Sequence, residues 1–361
     1  MDIAVIGGGH GAYAAAASLT ENGHRVRLWR RDAEALRPLL EKGFITVLDS
    51  KGQRDVRIDL VTTDLARAVR GAALVVIPLP ATTHKALAPQ LAPHLEAGQV
   101  VFLPPGTFGS YVFAKAMADC GNGANVTFAE TGTLPYLARK RGPTLVAISG
   151  YATRLPTGVF PLRNAKKAFP ILEAAYPAVE RITDALDGAL MNAGPIIHPP
   201  LIMMNAGPLE HFEAWDIHNE GTQSSVRRVT DALDNERIAV REALGYGAPH
   251  FPLADHYDDS RPEWMYGNAA HEKVTDSGDW REHIDLRAHR YMLEDVEQGL
   301  AFLVSCADYA KVPAPIATGL LAMGSAIVGR NLRETGRTLE NLGLAGLRRT
   351  ALRKLLREGV R

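Results

Sequence analysis

The apolar run Ile3-Ala-Val-Ile6 is followed at once by Gly7-Gly-Gly9-His10-Gly11-Ala12, then by an alanine-rich stretch leading into a second β-rich run, Val26 to Arg30. Each small residue of the pattern Gly7-x-Gly9-x-x-Ala12 has a mechanical task. Gly7 permits a tight turn out of a strand, Gly9 lets the backbone approach a pyrophosphate, and Ala12 allows close helix–strand packing. The pyrophosphate then lies on a helix N-terminus, where unpaired N–H groups and the dipole favour an anion. The turn sits at the correct end of the first strand, inside a βαβ unit of ordinary length. This favours a dinucleotide-binding turn over a glycine-rich turn that binds nothing, with Gly7, Gly9, His10, Gly11 and Ala12 as candidate cofactor-binding residues.

The end of the second strand is where an acidic side chain would accept hydrogen bonds from the ribose hydroxyls of NAD. Here the chain reads Trp29-Arg30-Arg31-Asp32. Adjacent arginines pair with a 2′-phosphate, so Arg30 and Arg31 point to NADP in preference to NAD. Asp32 comes slightly late for the ribose and reads as the cap of the next helix, although it keeps NAD open.

Further β-rich runs at Leu74 to Ile77, Val100 to Leu103 and Val126 to Glu130 alternate with helical stretches, the pattern of a parallel sheet. Ile45 to Leu48 and Val56 to Leu60 read as an inserted hairpin, and Leu145 to Ser149 as one more strand. After about Asp184 strand signals nearly vanish and helical patterns take over, at Val226 to Leu244, Arg287 to Ala310 and Ile316 to Val328. The expected fold is α/β: an N-terminal Rossmann dinucleotide-binding domain over residues 1–184 and a mainly α-helical C-terminal domain over 185–361, with the chemistry in the cleft between them. The segment Gly245 to Arg281, dense in Pro, Gly, Asp, His and aromatic residues, has the length of a functional loop.

Composition narrows the partners. The 361 residues carry 40 Lys+Arg against 40 Asp+Glu, so no basic excess supports nucleic-acid binding. The arginine-rich end, Arg348 to Arg361, is interleaved with leucines and reads as an exposed amphipathic helix. Two distant cysteines, Cys120 and Cys306, match no disulfide or metal spacing and read as small core residues, and 12 histidines show no His-x-x-x-His pair. A metal is not expected. The chain begins directly as a strand without a signal-peptide pattern, which places it in the cytoplasm. The uncharged stretch Val312 to Gly329 reads as a buried helix because prolines open it and glycines interrupt it. Such an apolar helix serves either a core or a homodimer interface.

In the helical half, His198 stands immediately before two prolines in an apolar stretch, and Arg290-Tyr-Met-Leu-Glu294-Asp295-Val places charges on a helix. On their own, these read as a core histidine and a solvated face. Together with Gly7 to Ala16, Glu130-Thr-Gly-Thr-Leu-Pro-Tyr136, Asn192 to Gly207, Glu220-Gly-Thr to Asp234-Asn-Glu-Arg237 and Tyr266-Gly-Asn268, they make nearly the whole chain resemble the opine dehydrogenases of the octopine/nopaline type. The histidine block followed about a hundred residues later by Arg-Tyr-x-x-Glu-Asp-Val is the specific part.

The resemblance implies NAD(P)H-dependent reductive condensation of an amino acid with a 2-oxo acid such as pyruvate. The amine and ketone give an imine, the nicotinamide delivers hydride to its carbon, and His198 exchanges the proton. It implies His198 and Asp295 as the catalytic pair and Arg290 as the grip on the oxo acid's carboxylate. Glu130 and Thr131, at the carboxyl end of a strand where ligands of such sheets bind, and Asn205 are candidate substrate contacts. For Trp264 and Tyr266 packing is the better reading. The competing functions are an NADP-dependent reductase of a 2-oxo acid or polyol phosphate on the same plan, which would usually exchange protons through a lysine absent from both blocks, and a non-catalytic NADP(H)-binding sensor.

Overall fold

The short apolar runs of the first half are buried on both faces, as a parallel sheet covered by helices requires. In the computed structural model, which describes residues 1–251, 253, 265–266 and 281–360, the chain divides into two units: Met1–Ala189 with Arg353–Arg361, and Leu190–Leu352. Trp264 and the Gly267-Asn268 pair lie outside the described residues.

The first unit holds twelve strands: β1 (Asp2–Ile6), β2 (Arg25–Trp29), β3 (Phe44–Asp49), β4 (Gly52–Arg57), β5 (Leu60–Thr62), β6 (Leu74–Val76), β7 (Val100–Leu103), β8 (Thr127–Thr131), β9 (Tyr136–Lys140), β10 (Leu145–Tyr151), β11 (Leu155–Phe160) and β12 (Val179–Asp184). Eight form one sheet in the order β12-β11-β8-β7-β6-β1-β2-β5, and four form a second in the order β4-β3-β10-β9. In the large sheet β8 and β11 run antiparallel and the other neighbours parallel. The inserted hairpin is present as β3–β4, but the run Val56 to Leu60 splits: β4 ends at Arg57 and β5 leaves to pair with β2.

Helix α1 (His10–Glu21) explains its own alanines. It packs against strands of both sheets, so Ala12, Ala14, Ala15, Ala16 and Ala17 are all buried to within 1% and no face is left for water. A helix apolar all round is one enclosed on all sides. Asp32 caps α2 (Ala33–Lys42) by accepting a hydrogen bond from the Ala35 N–H at 3.0 Å. The remaining helices of the unit are α3 (Leu65–Val69), α4 (Ala81–Leu91), α5 (Gly109–Asp119), α6 (Ala165–Ala175) and α7 (Ala185–Ala189). Cys120, at the end of α5, is exposed, contrary to the core role expected of it. Cys306 is buried.

Among its described residues the second unit is built from α8 (Gly194–Met204), α9 (Ala206–His211), α10 (Ser224–Leu244), α11 (Ala301–Ala310), α12 (Pro315–Val328) and α13 (Leu332–Thr335), with a two-stranded ribbon, β13 (Trp215–Asp216) against β14 (Arg281–Glu282). Residues Tyr291–Leu300, which run directly into α11, form a π-helix. The Asp234-Asn-Glu-Arg237 block is scaffold. Arg237, 1% exposed, pairs with Asp234 at 2.6 Å and donates to the carbonyls of Leu190, His250 and Phe251. Glu236 accepts from the N–H groups of Ile316 and Ala317 at the start of α12. The last helix, α14 (Arg349–Glu358), is amphipathic, with Leu352 and Leu356 buried. No helix among the described residues is long and apolar enough to cross a membrane.

Candidate active site

The glycine turn of the first unit is open where a phosphate chain has to approach. Gly7 has φ +136°, which L side chains rarely adopt, and a Cβ there would lie 2.8 Å from Leu79. A Cβ on Gly9 would meet nothing within 4 Å, so the turn is bare at that position. Gly11 admits Leu134 and Ala12 is fully buried against the sheet. His10 opens α1 and accepts, at Nδ1, the N–H of Lys140 at 2.7 Å, which ties the turn to β9.

Arg30 lies across Gly8, where a Cβ would be 2.4 Å from its side chain. Its guanidinium donates to the carbonyls of Ala35 at 3.2 Å and Gly8 at 3.5 Å. The middle glycine of Gly7-Gly8-Gly9 is therefore a signal in its own right, because the arginine needs the space. Arg31 is exposed. The turn and its cationic edge fit a dinucleotide.

The second unit brings His198 and Asp295 together. His198, on α8, faces the π-helical segment, and its Nδ1 is 2.7 Å from Asp295 Oδ2. Asp295 is 6% exposed, and its other oxygen lies against Gly194, where a Cβ would be 2.1 Å away. Gly194 is thus the residue that admits the carboxylate. Burial holds His198 well below the ordinary imidazole range, and the charges of Arg290 and His289 push the same way. Burial likewise raises the Asp295 carboxyl, against the pull of Arg290 and His289. With Nδ1 engaged by the carboxylate, Nε2 is the ring nitrogen left to exchange a proton.

Arg290 is exposed and makes no ion pair among the described residues. It begins the π-helical segment, whose i→i+5 register carries residues five apart to one side. An α-helix at 3.6 residues per turn would set Arg290 and Asp295 about 140° apart. Tyr291 stacks on His198 with ring centroids 4.0 Å apart and has the Arg290 guanidinium 5.1 Å from its own centroid. The buried His218 meets His198 edge-on at 5.9 Å. Neither Tyr291 nor His218 was singled out from the sequence. The aromatic beside Arg290 was a usable signal for the first; the second carries none beyond the polar turn Asp216-Ile-His218-Asn-Glu.

The other candidates hold the scaffold. Glu130, fully buried, accepts from the N–H of Phe108 at 2.6 Å, from the N–H of Ser110 at 3.2 Å and from the Ser110 hydroxyl, closing the start of α5. This matters locally because Thr107 and Phe108 have φ of 50° and 60°, a conformation that needs external support. Thr131 donates to the Pro156 carbonyl across β8 and β11. The Asn205 amide donates to the carbonyls of Leu201 and Gly221 and accepts from Trp215 Nε1. The buried Tyr266 is consistent with packing.

Residues 181–328, which contain the dyad and Arg290, match the family model described as NAD/NADP octopine/nopaline dehydrogenase, alpha-helical domain. The helical half of the chain thus resembles the opine dehydrogenases of the octopine/nopaline type. Residues 2–104 match the N-terminus of NAD-dependent glycerol-3-phosphate dehydrogenase, a dinucleotide-binding domain shared more widely. An opine dehydrogenase from Arthrobacter sp. (strain 1C) is 29% identical over 97% of both chains. The fold is that of octopine dehydrogenase solved with NADH and L-arginine (TM-score 0.69, 21% identity, 91% of this chain and 90% of that one) and with NADH and pyruvate (0.69, 18%, 96% and 99%). It is also that of NADP+-bound yersinopine dehydrogenase (0.67, 14%, 99% and 98%).

Proposed function

We infer that the protein catalyses the NAD(P)H-dependent reductive condensation of an amino acid with a 2-oxo acid, and the reverse oxidation. The observation that carries this reading is the His198–Asp295 hydrogen bond of 2.7 Å with the exposed Arg290, which makes no ion pair among the described residues, at the start of the same π-helical segment. The relatives that hold an amino acid or pyruvate support the substrate classes. When bound, the reduced dinucleotide supplies a hydride.

The chain's own residues account for the protons and the orientation. Neutral His198 takes a proton at Nε2 from the amino acid's ammonium group, freeing the amine to attack the ketone carbon. Asp295 holds the resulting imidazolium through Nδ1. The adduct's nitrogen gives a second proton to the oxygen that was the ketone's, His198 delivers the first to the same oxygen, and it departs as water, leaving a substrate iminium ready for reduction. Arg290 grips the oxo acid's carboxylate through two parallel hydrogen bonds, which fixes the face presented to hydride. Gly7, Gly9 and the start of α1 hold the pyrophosphate, and Arg30 favours NADP over NAD.

The test is NADPH and NADH consumption with each amino acid and with pyruvate, 2-oxoglutarate or glyoxylate, alone and combined. Oxidation that requires both substrates is the expected result. Oxidation with the oxo acid alone makes the protein a simple ketone reductase, and none with any pair defeats the catalytic reading.

A further inference from the structure

The end of β9 brings a cation to the glycine turn that no feature of the βαβ unit anticipates. Lys140 belongs to the second sheet, and its backbone N–H is fixed to His10 Nδ1 at 2.7 Å. Its ammonium stands 3.8 Å from the centroid of the Tyr13 ring and 3.4 Å from the Gly8 carbonyl oxygen. Arg30 reaches the same oxygen at 3.5 Å. Two cations thus converge on one carbonyl, and among the described residues neither has a carboxylate partner.

The cost of that convergence shows in Lys140, pushed down to about 8 by burial and by the charge of Arg30. Two half-buried like charges, whose partners among the described residues are carbonyls and Tyr13, are favourable when an anion joins them. The position indicates which anion. The pyrophosphate belongs on the N–H groups at the start of α1, whereas the end of β2, where Arg30 stands, is where the adenosine ribose is read.

We propose that Lys140 and Arg30 together form a clamp for the 2′-phosphate of NADP, with Lys140, carried in from the second sheet, as a specificity-determining residue of the cofactor site. Arg30 supplies a planar fork and Lys140 a compact charge at the same Gly8 carbonyl, so a dianionic phosphate has two cations to meet. The 2′-hydroxyl of NAD offers them no charge. The clamp rests on dinucleotide binding in the first unit but not on the chemistry assigned to His198, so it is tested by binding alone.

Dissociation constants for NADP+, NAD+, 2′,5′-ADP and 5′-ADP are measured by calorimetry on the wild type, Lys140→Met and Lys140→Arg. The wild type should bind NADP+ and 2′,5′-ADP more tightly than their unphosphorylated counterparts. Lys140→Met should weaken both 2′-phosphorylated ligands about tenfold or more while NAD+ changes less than about twofold, and Lys140→Arg should recover most of the loss. Retained NAD+ binding shows that the variant is folded. A wild type that prefers NAD+, a Lys140→Met variant that loses NADP+ and NAD+ equally, or one that loses neither overturns the clamp. None of these outcomes bears on whether amino acid and oxo acid are condensed.

Discussion

A histidine becomes useful at neutral pH when its surroundings decide which nitrogen carries the proton and how readily the ring takes another. Asp295 settles the first for His198, and burial with the nearby charge of Arg290 settles the second. Because the pKa is depressed, the ring stays neutral as pH falls through the ordinary imidazole value near 6.5, and the base form is lost only further into acid. In the proposed mechanism, opine oxidation needs that base to activate the attacking water. Its kcat/KM at saturating cofactor should therefore hold level down to pH 6.5 and drop below it, as a pH–rate profile can establish. An acid limb centred at or above 6.5 would remove His198 from this role. Glu130 teaches the opposite lesson at the same scale. It is a strand-end carboxylate whose oxygens serve the start of α5 and the left-handed pair Thr107-Phe108.

At the level of elements, α1 and the π-helical segment show how far a local pattern reaches. The alanine run was legible as a helix that packs closely on a strand. That it is enclosed by two sheets was not, because the second sheet is assembled from β3, β4, β9 and β10, distant in the chain. The enclosure has a measurable consequence: Ala16→Leu should overpack the site and destabilise the unit by about 1–3 kcal/mol. At about 2–4 °C per kcal/mol for a unit of this size, a thermal melt reads it directly. An unchanged melting temperature would mean the helix has a free face. Strand β11 was missed because Pro156 and Gly158 argue against a strand. Gly158 is there because a Cβ would lie 1.8 Å from the Asp184 carbonyl oxygen. The π register of Tyr291–Leu300 leaves no trace in composition, since it changes which residues share a side without changing which residues they are.

At the scale of the whole molecule, the glycine turn and the dyad lie in different units of the chain. His198→Ala should therefore lower turnover by about 10²–10⁴ while the dissociation constant for NADPH stays within about twofold, which stopped-flow turnover and fluorescence titration on one preparation would show. A matching loss of cofactor affinity would contradict that separation. The sequence by itself determined the parts governed by short-range sterics and periodicity: the turn Gly7-x-Gly9-x-x-Ala12, the alternation of strand and helix, and the Asp32 cap; His198, Arg290 and Asp295 stood out only through the resemblance to opine dehydrogenases. Only the tertiary structure decided that a π register sets Arg290 and Asp295 on one side, that Gly194 makes room for the carboxylate, and that Lys140 joins Arg30 at the carbonyl of Gly8, 132 residues before it in the chain. The physical reason is range. A turn or a helix is fixed by neighbours a few residues away, whereas a charge acts on whatever the folded chain brings within a few ångströms, and no local pattern records that partner.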